Sequence, residues 1–164
     1  MNDDQTITGI YPGTFDPFTN GHKDLVIRAI NSVFSELHVC VVGKSSKDIL
    51  FDVDQRVDMV KDSLQGIKNV HVSKFEGLLV DYAESVNAKA ILRGLRAVSD
   101  FEYEFQMASM NRQLNVNLES VFLTPSEKYA FISSSLVKEV SKLGGDVSAY
   151  VSKSVLTKLQ HQFS

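Results

Sequence analysis

Short apolar or β-branched runs alternate along this chain with longer stretches of helical period, and that alternation leaves few folds open. The short runs predict strands over 6–11, 37–42, 70–75, 90–93 and 120–123. Between them, Val53, Val57, Val60 and Leu64 recur at i, i+4, i+7 and i+11 and line one face of a helix over 52–64. Asp52, with Gln55 three residues later, gives that helix the start of a capping box. Helical patterns also cover 21–34, 78–86, 100–114, 134–143 and 151–160. With right-handed crossovers, the order βαβαβαβαβαα predicts a Rossmann-like, doubly wound α/β fold: a parallel five-stranded sheet with helices on both faces. Such sheets bind ligands beyond the C-terminal ends of their strands, so the chemistry should follow each strand directly.

The 164 residues suffice for about one domain, with an apolar core that needs no disulfide or metal staple. Lys plus Arg number 17 against 20 Asp plus Glu, a net charge of −3, and no run of five like charges occurs. Bulk charge therefore argues against nucleic acid or an anionic membrane as partner. The single cysteine, Cys40, sits in an apolar run and reads as a buried strand residue of a protein in reducing surroundings. The start Met1-Asn2-Asp3-Asp4 is acidic where a secretory leader is basic, and no apolar run nears the roughly 18 residues of a membrane span. A cytoplasmic protein is expected.

The most informative stretch follows the first strand: Pro12-Gly13-Thr14-Phe15-Asp16-Pro17-Phe18-Thr19-Asn20-Gly21-His22. Gly13 lets the backbone approach a ligand where a side chain would collide, and Thr14 offers a hydroxyl at the strand's carboxyl end. Thr19 or Asn20 can cap the next helix, Gly21 keeps its first turn slim, and His22 projects from that turn. A ring N–H there adds to free backbone N–H groups and the positive helix end, giving an anion site suited to ATP phosphates. Three other patterns carry less. Gly43-Lys44-Ser45 ends like a P-loop, but His38 stands where the first glycine belongs. Ser135-Leu136-Val137-Lys138 matches S-x-x-K without the companion elements of the penicillin-recognising enzymes. The four histidines form no H-x-x-H pair, so no metal ligand set is expected.

Gly13-Thr14-Phe15-Asp16-Pro17 with Thr19-x-Gly21-His22 resembles the T/HxGH signature of the nucleotidylyltransferase superfamily. After the fourth strand, Arg93-Gly94-Leu95-Arg96 forms an apt phosphate clamp, with Asp100, Glu102 and Glu104 near enough in sequence to balance it. This string and Phe131-Ile132-Ser133-Ser134-Ser135-Leu136-Val137-Lys138 are very similar to the bacterial phosphopantetheine adenylyltransferases, a resemblance covering roughly residues 7–151.

The resemblance implies a single nucleotidylyltransferase domain over 1–164. It would join 4′-phosphopantetheine to the AMP part of ATP, giving dephospho-coenzyme A and pyrophosphate with no covalent intermediate. It implies that Thr14, Lys47, Leu79 and Arg93 hold the phosphopantetheine, that Thr14 also meets ATP at the junction of the two substrates, and that Thr14, Lys47 and Arg93 aim the nucleophile, with Lys44 the alternative to Lys47. Phe15, His22, Gly94, Leu95, Arg96, Glu104 and the run Tyr129, Ala130, Phe131, Ile132, Ser133, Ser134 and Ser135 match the family's ATP-binding positions. Tyr129 can lie against the nucleotide or pack the loop. His22 would stabilise the transition state, and Mg²⁺ would accompany ATP, held largely by phosphates and water. A homohexamer built as a dimer of trimers and feedback occupancy by coenzyme A are implied as well. The alternatives are a related enzyme acting on nicotinamide mononucleotide or with a cytidylyl donor, and a non-catalytic nucleotide or coenzyme A sensor.

Overall fold

The computed structural model describes residues 6–44 and 48–164. Lys47 and the acidic start of the chain lie outside them. The chain runs β1 (Thr8–Gly13), α1 (Asn20–Ser32), β2 (Glu36–Val42), α2 (Val53–Ser63), β3 (Val70–Phe75), α3 (Leu79–Ser85), β4 (Ala90–Gly94), α4 (Val98–Leu114) and β5 (Glu119–Leu123). A 3₁₀ turn over Glu127–Tyr129, then α5 (Ser134–Lys142) and α6 (Lys153–Phe163), complete it. The five strands pair in parallel, as expected, and their order is β3-β2-β1-β4-β5. The order reverses between β1 and β4, and a crevice opens there at the carboxyl ends.

Strand alternation sorts the core onto the two faces. Tyr11, Val39, Val41 and Leu92 meet Leu25, Val26 and Ala29 of α1 and Val57 and Val60 of α2. Their sequence neighbours Ile10, Cys40 and Ile91 point the other way, onto Val80 and Ala83 of α3. Burial pushes the Cys40 thiol up to about 12, so it is no nucleophile at neutral pH. A third cluster joins Phe51 and Met59 to Val137 of α5 and Val155 and Leu159 of α6. No helix among the described residues is long and apolar enough to cross a membrane.

The predicted element boundaries hold to within three residues; the largest shift is at α6, which runs to Phe163 rather than 160, and β1 reaches Gly13 rather than stopping at Tyr11. Proline can enter this central strand because its pairing with β4 involves only Gly9 and Ile10. The Pro12 carbonyl instead accepts from Arg93 Nη1 at 3.1 Å, on a side where no ladder N–H is needed. The α2 capping box forms as expected, with Gln55 N–H donating to Asp52 Oδ1 at 2.8 Å and Asp52 N–H to Gln55 Oε1 at 3.1 Å.

Candidate active site

A cavity of about 790 Å³ lies beyond the carboxyl ends of β1 and β4. Of the residues expected to bind ligand, Thr14, Phe15, His22, Arg93, Gly94, Arg96, Glu104, Tyr129, Ile132, Ser133, Ser134 and Ser135 line it. Leu79 does not. It lines an adjoining cavity of about 240 Å³ that shares Pro12, Gly13, Thr14, Arg93, Tyr103 and Glu104 with the first, so the two form one cleft. Leu95, Ala130 and Phe131 line neither, and the Phe131 side of the loop faces solvent at 90% exposure. The Leu95 N–H donates to Leu123 O at 3.0 Å and anchors the turn after β4. Lys44 stands 3.6 Å from Glu76 as an exposed ion pair.

The His22 end is built within a few residues of sequence. Thr19, not Asn20, caps α1: its hydroxyl accepts from His22 N–H at 3.3 Å, and His22 Nδ1 accepts from Thr19 N–H at 3.0 Å. That reciprocal bond fixes the ring's orientation and leaves the proton of the neutral imidazole on Nε2. Burial, with the Arg96 charge adding, pushes the His22 pKa down to about 3, so the ring is a neutral donor. Phe15 and Phe18 pack on it with centroids at 5.1 and 5.3 Å. Phe15 is 4% exposed, so its ring supports His22 rather than standing open to a nucleotide. It holds φ at 51°, a left-handed conformation that a phenylalanine adopts only under tertiary constraint.

Two glycines serve packing here. A Cβ on Gly13 would stand 2.6 Å from the Phe15 ring, so the bare backbone accommodates Phe15 where sequence reasoning expected it to admit a ligand. A Cβ on Gly21 would meet Tyr129 Cβ at 3.3 Å, which makes Tyr129 a residue packed over the first turn of α1.

The Arg93 end is assembled from distant elements. Arg93 Nε and Nη2 donate to the two carboxylate oxygens of Glu104 at 2.8 and 2.7 Å, a bidentate pair between β4 and α4. Burial pulls the Arg93 pKa down, and the hydrogen bond and charge of Glu104 outweigh it, so the net shift is upward. With Nη1 donating to Pro12 O, each terminal nitrogen keeps one N–H for a ligand. Arg96 donates to Ile132 O at 3.3 Å and lies 3.9 Å from Asp100, bridging the turn after β4 to the entry of α5. Ser133 caps α5 by accepting from Leu136 N–H at 3.1 Å, and the Ser134 hydroxyl donates to Pro17 O at 2.8 Å. The exposed Ser135 has no recorded partner among the described residues.

Sequence reasoning missed two supports. The Asp16 carboxylate, 4% exposed, accepts from the N–H groups of Leu50 and Phe51 at 2.8 and 3.0 Å and from Lys138 Nζ at 2.7 Å. It thereby binds the segment before α2 and the middle of α5 to the first loop. The fully buried Arg56 of α2 donates to Thr14 O at 2.7 Å, Val42 O at 2.9 Å and Phe51 O at 2.9 Å. Its Nη2 is buried without a partner among the described residues. One guanidinium thus sets the backbone after β1 and after β2. Neither residue belongs to a periodic pattern that sequence could read; Lys138 was flagged only by the S-x-x-K match and as the end of the Phe131–Lys138 string, neither of which pointed to Asp16.

The chain matches the cytidylyltransferase-like family model over residues 10–140. It is 53% identical over 155 residues to the phosphopantetheine adenylyltransferase of Azoarcus sp. (strain BH72), covering 94% of each chain. It is 51% identical over 157 residues to the protein of that name from Hahella chejuensis, covering 96% of this chain and 97% of the relative. A crystal structure of a Vibrio parahaemolyticus protein assigned as a nicotinate-nucleotide adenylyltransferase superposes with a TM-score of 0.71 at 17% identity, over 95% of this chain and 92% of that one, and shares its fold. The sequence kinship over nearly the full length and the cleft at the β1–β4 reversal agree: the chain belongs to the phosphopantetheine adenylyltransferases of the cytidylyltransferase-like family.

Proposed function

We propose that the protein transfers the adenylyl group of ATP to 4′-phosphopantetheine, releasing dephospho-coenzyme A and pyrophosphate. One observation carries the reading: kinship with phosphopantetheine adenylyltransferases over nearly the full length. The cleft suits it, because a smaller chamber bounded by Leu79, Phe75 and Met107 opens at Thr14 and Arg93 into the larger polar one. The first chamber, lined by Asn111 and Ser120 as well as by Phe75, Leu79 and Met107, fits the pantetheine arm with its amides and methyl groups, and the second the triphosphate.

The acceptor phosphate is already an anion at neutral pH, so its oxygen attacks the α-phosphorus without a general base as the bond to pyrophosphate breaks. Catalysis is then positioning and charge stabilisation. Thr14, Arg93 and Lys47 aim the acceptor phosphate, with the Thr14 backbone held by Arg56. His22 Nε2–H and the amino end of α1 stabilise charge on the α-phosphate. The neutral ring donates one hydrogen bond without needing a proton from solution. Arg96, Glu104, Ser135 and the turn at Tyr129 border the nucleotide.

Among the carboxylates lining the cleft, Asp16, Glu104 and Asp100 already face cations or amides, whereas Asp48 has no recorded partner for its carboxylate among the described residues. That set fits a magnesium ion held by phosphates, water and Asp48 rather than by a protein cage. Bound there, magnesium would neutralise charge on the leaving pyrophosphate.

Coenzyme A carries the same arm and adenylyl group as the product, so feedback occupancy of this cleft is part of the proposal. A cytoplasmic setting suits a soluble substrate pair. A homohexamer built as a dimer of trimers is part of the proposal; the exposed Phe101, Tyr103, Phe105, Met110 and Leu114 of α4 support self-association, and light scattering should give the mass of six chains.

Pyrophosphate release with ATP and Mg²⁺ tests the reaction. Release only with 4′-phosphopantetheine, with dephospho-coenzyme A identified by mass, is expected. Release only with nicotinamide mononucleotide would reassign the acceptor, and ATP binding without any release would make the chain a sensor.

A further inference from the structure

β2 and β3 begin side by side at the end of the sheet opposite the cleft. Glu36 and His38 are two apart on β2, so both side chains leave the same face. The parallel register sets His71 of β3 directly against His38. The two imidazoles stack with centroids 4.9 Å apart. One carboxylate oxygen, Glu36 Oε1, stands 3.3 Å from His38 Nε2 and 2.9 Å from His71 Nε2. One donor atom from each of the three residues lies within 4.8 Å of the others, and the cluster opens to water through His71, whose side chain is 56% exposed.

We propose that Glu36, His38 and His71 form a binding site for a divalent transition-metal ion of the zinc class, separate from the catalytic cleft. Two imidazole nitrogens and one carboxylate oxygen are a donor set that zinc takes, with water completing the tetrahedron. The nitrogen donors select against magnesium and calcium, which prefer oxygen ligands, so the ion that accompanies ATP would not compete. The ligands come from the edge strand β3 and its inner neighbour β2, so the ion would tie the edge of the sheet to its interior. Sequence spacing could not reveal the site, because strand register rather than a short motif brings His71 to His38.

The test is calorimetric titration of chelator-treated, nucleotide-free protein with Zn²⁺, with Co²⁺ as a visible-absorption probe of the ligand sphere. Binding of one ion per chain is expected. At a hundredfold excess over Kd, the unfolding midpoint should rise on the order of 5–10 °C, since the ion binds the folded state alone. His71→Ala and, independently, Glu36→Gln should each weaken Zn²⁺ binding about tenfold or more, while pyrophosphate release stays at the wild-type rate as a check on folding. The absence of binding at millimolar Zn²⁺ would overturn the assignment. Equal binding by wild type and both variants would do so too, because the ion would then sit elsewhere.

Discussion

The two ends of the cleft are built on opposite plans. At the His22 end, cap, ring and supporting aromatics all come from one loop and the first turn of α1, so the donor is oriented by its immediate neighbours. At the Arg93 end, one guanidinium joins β4 to α4 and β1, and Leu79 comes from α3. The local end is preorganised whatever surrounds it. The assembled end depends on α4, whose flanks carry exposed apolar side chains, Phe101 and Phe105 on one and Tyr103, Met110 and Leu114 on the other, and so on whatever contacts that helix. In the proposed hexamer, the nucleotide end should therefore tolerate disturbance of the assembly better than the acceptor end.

The largest effect should come from His22→Ala. One lost transition-state donor lowers kcat about 10²- to 10³-fold. The missing capping bond to Thr19 costs only about 1 kcal/mol of stability. Near-wild-type kcat in a folded variant would remove His22 from the chemistry and with it the functional half of the comparison.

Arg93→Ala comes next. It leaves the Glu104 carboxylate, itself 8% exposed, without its cation. Arg93 retains 32% exposure at its side chain, so the loss should be about 2–3 kcal/mol, below that of a fully buried pair. Affinity for 4′-phosphopantetheine should fall more than affinity for ATP. Glu104→Gln added to Arg93→Ala should restore most of the stability and none of the acceptor affinity. Equal loss of both affinities by calorimetry would contradict the division between the two ends.

A more gradual effect, smaller at each pH step, is linked to pH. The His22 pKa is about 3 in the folded chain against an ordinary value of 6.5, so between these limits the unfolded chain binds the extra proton. Stability therefore rises with pH up to about 6.5 and falls below it, by about 1 kcal/mol per pH unit from this group. His22→Gln should flatten that slope in acid unfolding titrations. An unchanged slope would mean that the ring is not held neutral by its site.

What sequence made legible divides along the same line. Strands, helices and the α2 cap were readable because a period or a short-range hydrogen bond signals them, and the His22 loop was readable for the same reason. The Asp16–Lys138 pair joins residues 122 apart, and Arg56 serves carbonyls in three separate segments, so their partners exist only once the sheet has formed. Arg93 and Glu104 could be named as charged neighbours, yet nothing in their spacing said that they bind each other. Sequence took the three serines at the start of α5 together as ATP-binding positions, where the structure gives their hydroxyls different partners.

That division supplies the finest test. Ser133 spends its hydroxyl on Leu136 N–H and Ser134 on Pro17 O, whereas Ser135 is exposed in the cleft without a recorded bond. Ser133→Ala should therefore cost about 1 kcal/mol in unfolding experiments, the usual size of a lost cap, and leave the KM for ATP within about twofold. Ser135→Ala should do the reverse, raising the KM for ATP severalfold at unchanged stability, because a single neutral hydrogen bond to a ligand is worth about 1 kcal/mol. If both variants instead raised KM alike, the α5 entry would act as one phosphate cradle, and the nucleotide end would be less locally built than the His22 geometry implies.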